Sequence, residues 1–179
     1  MKGVVFNILG EMVEEQFGIA AWDALLQQTE LDGEFVATES YADEDLFALV
    51  GAASEATGFD ANDLVFAFGR YMVPYFFENY PEFFKPEYSL REFLLTVDSV
   101  IHVEVRKLMP EANLPSFDYG DDDLRELTMT YRSPRKLCRL AEGLIQGAAD
   151  HYKTSFELDH SVCMHDGGDH CTLKLRLAA

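Results

Sequence analysis

Apolar positions along this chain change period. Up to about residue 109 they recur every third or fourth residue, and from Leu124 they recur every second, with one helical stretch between two strand-like ones. The first part therefore predicts helices, and the second predicts strands around a further helix. Residues 3–18 place Val5, Ile8, Leu9, Met12, Val13 and Phe17 on one stripe, with Gly18 as the stop. Trp22 to Leu26 predicts a second, short helix. Asp43 to Thr57 predicts a third, with Leu46, Phe47, Val50 and Ala53 inward. Asp60 suits an N-cap for a helix in which Leu64, Phe68, Met72 and Phe76 recur every four residues. Pro74 is expected to kink or loosen that helix near its end. Residues 89–109 give the clearest helix, capped by Ser89 and stopped by Pro110. Its predicted inward side is Phe93, Leu94, Val97, Val100, Ile101, Val105 and Leu108.

Residues 111–123 read as a loop, with Pro115, Gly120 and a solvated acidic turn at Asp121-Asp122-Asp123. Leu127, Met129 and Tyr131 then alternate with Thr128, Thr130 and Arg132, the period of a strand. Ser133-Pro134 reads as an N-cap followed by proline at the first helical position. The helix after it carries Leu137, Leu140, Ala141, Leu144, Ile145 and Ala148 inward. Phe156 and Leu158 suggest a strand, 165–169 a glycine-rich turn, and Leu173, Leu175 and Leu177 a closing strand. Helices first and an antiparallel sheet later define an α+β fold. A length of 179 residues fits one domain.

Composition narrows the function classes. Apolar residues make up 48% of the chain and aromatics 13%, too many for a disordered protein. Fourteen Phe and eight Tyr could also line a large flat apolar ligand. Fourteen basic against thirty-two acidic side chains give a net charge of −18. That argues against nucleic acid and anionic membranes as partners. It suits a well-solvated surface or a face that docks a basic partner. No apolar run is long enough to span a bilayer and no signal-peptide pattern follows the N-terminus, so a cytoplasmic location is expected. Three cysteines, an odd number, point away from a disulfide framework. No nucleophile–base pair, phosphate loop or paired-carboxylate motif stands out, so an enzyme is not expected.

The candidate chemistry lies in two groups. In an extended backbone Tyr131, Ser133 and Arg135 point to one face. A phenol, a hydroxyl and a guanidinium together suit a ligand with two carboxylates. Haem carries two propionates and needs an axial ligand, and the isolated His102 could supply it; the other four histidines lie between 151 and 170. A single imidazole would leave the opposite axial position open, as in a gas sensor or carrier. The backbone carbonyl of Asp98, one turn back, could hold the second ring nitrogen. The plainer alternatives are a satisfied core histidine among Val100, Ile101, Val103 and Val105, a half-buried Tyr131, a capping Ser133 and a surface Arg135. The second group is Cys138, Cys163 and Cys171 with His160, which suits tetrahedral structural zinc. His165 and His170 are rival ligands. Buried inert thiols or a thiol redox sensor are the alternatives.

Met1-Lys2-Gly3, Val100-Ile101-His102, Pro115, Tyr131-x-Ser133-x-Arg135 and Gly143-Leu144 together resemble the bacterial haem nitric oxide/oxygen-binding (H-NOX) domains, relatives of the haem domain of soluble guanylate cyclase. The resemblance covers essentially the whole chain. It implies a single domain over 1–179: a distal helical subdomain at about 1–60, a proximal subdomain with the sheet at 61–179, and haem b buried between them. It implies His102 as iron ligand, Tyr131, Ser133 and Arg135 on the propionates, and Pro115 pressing the porphyrin out of planarity. By the same resemblance Val5, Leu9, Met72, Phe76, Leu140 and Leu144 line the gas pocket. Oxygen-binding members place a tyrosine where this chain has Leu140. A sensor of NO (and CO) that excludes O₂ is therefore expected. It would act in trans on a histidine kinase or a cyclic-di-GMP enzyme. Some members also hold zinc through three cysteines and a histidine near this end, which favours His160.

Overall fold

The computed structural model describes residues 1–120 and 123–178. Among them the chain runs α1 (Gly3–Phe17), α2 (Ile19–Thr29), α3 (Asp43–Thr57), α4 (Ala61–Asn79), α5 (Leu90–Thr96), a π-helical turn (Val97–Ile101) and α6 (His102–Leu108). Then come β1 (Ser116–Tyr119), β2 (Glu126–Arg132), α7 (Cys138–His151), β3 (Phe156–Val162) and β4 (Cys171–Leu177). The four strands form one antiparallel sheet in the order β1-β2-β4-β3, so the α+β expectation holds. No helix among the described residues is long and apolar enough to cross a membrane.

Local chemistry sets several helix ends. Gly18 takes φ 87° and its N–H closes α1 on the Glu14 carbonyl. Asp60 accepts from the Asn62 N–H at 2.8 Å. Ser89 and Glu92 form a reciprocal capping box. Pro74 does not end α4, which continues to Asn79.

Several expectations are corrected. The helix expected over 89–109 is split by the π-helical turn, where the His102 N–H reaches back to the Val97 carbonyl. An extra residue in one turn rotates everything after it. Val100 is therefore 45% exposed and Leu108 74% exposed, although the 3.6-residue pattern placed both inward. Phe17 and Phe47 are exposed as well; Phe47 lines an open groove with Val50 and Val65. Strand β1 lies in the segment read as loop, because four residues are too short for alternation to stand out. Of the acidic turn, Asp121 and Asp122 lie outside the described residues. Strand β2 begins at Glu126 and Leu124 is exposed. Ser133 does not cap α7, which begins at Cys138. Instead Ser133 closes a turn, accepting from the Arg135 N–H at its hydroxyl and from the Lys136 N–H at its carbonyl. Lys136 has φ 52°, which keeps that turn out of the helix.

Two apolar clusters form. One holds Phe6, Ile8, Leu9, Met12, Trp22, Leu46 and Leu49, joined by Phe68 and Met72 of α4. The other packs α7 on the sheet, with Leu127, Met129, Tyr131, Leu173 and Leu175 against Ala141, Ile145 and Ala148. Phe76 and Leu144 touch both. The clusters meet where α4 and α7 approach backbone to backbone. A Cβ on Gly143 would lie 2.1 Å from the Phe66 carbonyl oxygen, and one on Gly69 2.4 Å from that of Leu140. A Cβ on Gly147 would lie 2.7 Å from the Arg70 carbonyl oxygen, whose usual donor four residues on is missing because residue 74 is proline.

Gly143→Ala is accordingly expected to lower stability by roughly 1–3 kcal/mol through overpacking against rigid backbone. Gly51→Ala, with open space around its Cβ, should be neutral or stabilising by up to about 1 kcal/mol. Urea denaturation midpoints read both; equal midpoints would mean that the helices can separate freely.

Candidate functional site

His102 opens α6 and is 9% exposed. Its Nδ1 lies 3.2 Å from Asp98 Oδ1, and its Nε2 makes no hydrogen bond among the described residues. The acceptor is thus the Asp98 carboxylate, not the carbonyl expected from sequence. The spacing of four that puts Asp98 and His102 on one helical face could have revealed it. The same oxygen lies 3.4 Å from the Phe117 N–H, which ties the helix to β1. Burial holds the His102 pKa below its usual value, while Asp98 pulls the other way. The group is then a neutral imidazole with one nitrogen anchored and the other free to bind a metal.

The Phe117 ring lies 6.0 Å from the His102 ring on one side and 5.5 Å from that of Tyr131 on the other. Tyr131 is buried on β2, directly opposite Phe117 and Cys171 on the flanking strands. Its hydroxyl bonds to the Ser133 side chain, and burial raises its pKa. Ser133 is buried too. The Arg135 guanidinium, mostly buried, lies 3.5 Å from Asp43 Oδ1 and 3.4 Å from Met1 Sδ. Asp43 also pairs with the N-terminal ammonium at 2.7 Å. The three signature residues therefore come together, and Arg135 reaches across to the first helices. Neither Asp43 nor Met1 stands out in the sequence as a partner, since no local pattern links them to position 135. Pro115 lies half-buried just before β1.

Val5, Leu9, Met72, Phe76, Leu140 and Leu144 belong to one cluster, drawn from α1, α4 and α7. None of these side chains carries an N–H or O–H donor. Three tyrosines border the cluster. Tyr41 accepts the Val36 N–H, Tyr71 is bonded to Glu15, and Tyr75 neighbours the exposed Glu11.

Cys138, His160, Cys163 and Cys171 bring their ligand atoms within 4.8 Å of one another. The Cys138 and Cys163 sulfurs are 3.9 Å apart, against about 3.8 Å for two thiolates on one tetrahedral zinc. His160 Nε2 is buried without a partner. The rivals are engaged elsewhere: His165 Nε2 on the Lys136 carbonyl, His170 Nδ1 on Asp169. Burial and the adjacent thiols push Cys138 up to about 12. Three neighbouring cysteines and an orphaned imidazole nitrogen fit a cation that would take thiolates as ligands. Sequence spacing did not single out Glu142, which holds His160 Nδ1 at 2.6 Å.

A helical half joined to an antiparallel sheet, with a buried imidazole, an apolar cluster across α1, α4 and α7, and a hydroxyl–guanidinium set after β2, is the arrangement of a haem-binding sensor domain. Residues 2–160 match the family described as Haem-NO-binding, and the chain belongs to that family. It is 33% identical to an H-NOX protein from Shewanella oneidensis solved in the Fe(II)NO ligation state, with all of both chains covered and a TM-score of 0.94. A solution structure of an H-NOX domain from Shewanella oneidensis in the Fe(II)CO state gives 34% identity, 99% of each chain and a TM-score of 0.91. The Fe(II) unliganded H-NOX protein from K. algicida gives 26% identity, 100% of this chain, 97% of that one and a TM-score of 0.91. The chain is accordingly an H-NOX haem-binding gas-sensor domain.

The charge junction between the halves can be tested without a ligand. Asp43→Asn leaves the part-buried Met1 ammonium and Arg135 without their carboxylate. A loss of roughly 1–3 kcal/mol in chemical denaturation is expected; an unchanged midpoint would show that the pairing is incidental.

Proposed function

We propose that this domain is a selective nitric oxide sensor. In this reading His102 Nε2 binds the iron of haem b, and Tyr131, Ser133 and Arg135 hold its propionates. Pro115 and the cluster Val5, Leu9, Met72, Phe76, Leu140 and Leu144 contact the porphyrin and the gas. Residues of about 1–60 form the distal subdomain of the single domain 1–179, and 61–179 the proximal one. The observation that carries the selectivity is the hydrocarbon character of that cluster. O₂ on ferrous iron gains negative charge and needs a hydrogen-bond donor, whereas NO and CO do not. A bound haem would be held by His102 and would supply a ferrous centre able to take up NO.

The chain's own residues carry the response. His102 is held by Asp98, which also meets the β1 backbone, so it would stay anchored to the protein if its bond to a metal were lost. Movement is then directed along α6 and β1 rather than lost in a free side chain. The π-helical turn before His102 interrupts the regular helical hydrogen bonding at that point, a feature frequent at functional sites. Arg135 and Asp43 join the signature turn to the first helices, so a displacement of one would be passed to the other. A partner signalling protein that prefers one arrangement reads the shift. By family resemblance the partner is a histidine kinase or a cyclic-di-GMP enzyme regulated in trans. A non-catalytic role in the cytoplasm accords with three free thiols.

The same reading gives zinc to Cys138, His160, Cys163 and Cys171, supported by the orphaned Nε2 and the sulfur spacing. Metal analysis should find about one zinc per chain in wild type and little in Cys171→Ser. A thiol redox sensor, with haem secondary, is the second reading, motivated by three free cysteines gathered in one cluster. It would gain if partner control followed thiol oxidation and ignored NO.

Absorption spectroscopy tests the proposal. The ferrous protein is expected to show a Soret band that shifts with CO and NO but not in air, with a five-coordinate NO form. His102→Gly should lose the band and recover it with added imidazole. A stable ferrous–oxy spectrum would defeat the selectivity argument. An NO complex that keeps its bond to His102 would defeat the release mechanism.

A further inference from the structure

One buried charge is explained neither by the gas site nor by the four proposed zinc ligands. Glu142 on α7 is 4% exposed. A carboxylate there needs partners on both oxygens. Its Oε1 lies 2.6 Å from His160 Nδ1, and its Oε2 accepts from Arg139. Arg139 in turn lies over the Phe66 ring of α4 at 5.0 Å and reaches the exposed Asp63 at 3.5 Å. Glu142 is one helical turn beyond Cys138, so the helix that supplies the first thiol supplies the carboxylate on the same face.

The two nitrogens of His160 are in contrasting states. A carboxylate accepts and cannot donate, so the nitrogen facing Glu142 carries the ring proton. The other nitrogen, Nε2, is then an unprotonated lone pair, buried, unpartnered and set among three sulfurs. His165 has its Nε2 on the Lys136 carbonyl, and His170, although its Nδ1 meets the Asp169 carboxylate, is not among the residues whose ligand atoms converge.

We propose that Glu142 is a positioning residue for the metal centre. Resting on the zinc reading of the four ligands, it fixes His160 as the Nδ1–H tautomer, aims Nε2 at Cys138, Cys163 and Cys171, and raises the basicity of that ligand. Arg139 balances the added negative charge and fastens the centre to α4 at Phe66. The outer support of the site is therefore built from α7 itself. Loss of Glu142 acts on the metal through His160 and leaves the three thiolates untouched.

The test uses the haem-loaded full chain as wild type, Glu142→Gln, Glu142→Ala and His160→Ala. Zinc affinity is read by competition with a chromophoric chelator, and cobalt(II) is substituted to read the ligand field. Affinity is expected to fall in the order wild type, Glu142→Gln, Glu142→Ala, with a roughly 10- to 100-fold total loss. Glu142→Gln keeps an acceptor for the ring proton and should recover part of the loss. The cobalt spectrum of Glu142→Ala should move toward that of His160→Ala, while the thiolate-to-cobalt bands persist. Nitrogen-15 NMR of the zinc form should show Nδ1 protonated and Nε2 metal-bound in wild type, with the Nδ1 proton exchanging faster in Glu142→Ala. The Soret band serves as the check on folding. Should Glu142→Ala fail to fold, Glu142→Gln decides, with a loss of severalfold expected. A variant that folds and binds zinc within twofold of wild type, with an unchanged cobalt spectrum, overturns the assignment alone. A wild-type protein that takes up no zinc overturns the metal reading and this assignment with it.

Discussion

The approach of α4 to α7 is the constraint on which the other arrangements depend. Gly69, Gly143 and Gly147 let the two backbones touch where any side chain would collide with a carbonyl. At that distance Leu140 and Leu144 of α7 meet Met72 and Phe76 of α4, and the helical cluster joins the sheet cluster. A helix pair held this closely moves as one body, because its packing has no soft side-chain layer to deform. The proposed gas-facing wall and the thiol cluster thus share one rigid element. Leu140 and Leu144 point one way from α7, while Cys138 and Glu142 serve the other.

The sheet supplies the second link. Phe117, Tyr131 and Cys171 stand side by side on β1, β2 and β4. Cross-strand neighbours share a face, so one row of side chains runs from the ring beside His102, through the signature tyrosine, to a proposed zinc ligand. The buried imidazole is also tied to this row through Asp98 and the Phe117 N–H. Charge organises the opposite rim. In a chain with net charge −18, Asp43 gathers both the N-terminal ammonium and Arg135. That junction joins the first helix, the third helix and the signature turn.

Much of this was legible in one dimension. Periodicity found α1, α3, α4, β2, α7 and β4, because each buries one face and the pattern of burial is written along the chain. Caps were legible where a side chain bonds its own neighbouring backbone, as at Asp60 and Ser89. They were misread where a longer-range fold competes: Ser133 has the composition of a helix cap and serves a turn instead. The π-helical turn before His102 was invisible, since one inserted residue changes phase without changing composition, and it overturned the inward placement of Val100 and Leu108.

Residue type and short spacing were enough to single out the candidate side chains: a lone histidine on an apolar helix, an alternating phenol–hydroxyl–guanidinium run, three cysteines and a nearby histidine. The partners of those groups emerge only once the chain is folded. Asp43 lies ninety-two positions from Arg135, Phe117 fifteen from His102, and His160 eighteen from Glu142. A charge or ring nitrogen is satisfied by whatever burial brings within about 3 Å. Local propensity says nothing of neighbours that only the meeting of two helices and a sheet creates.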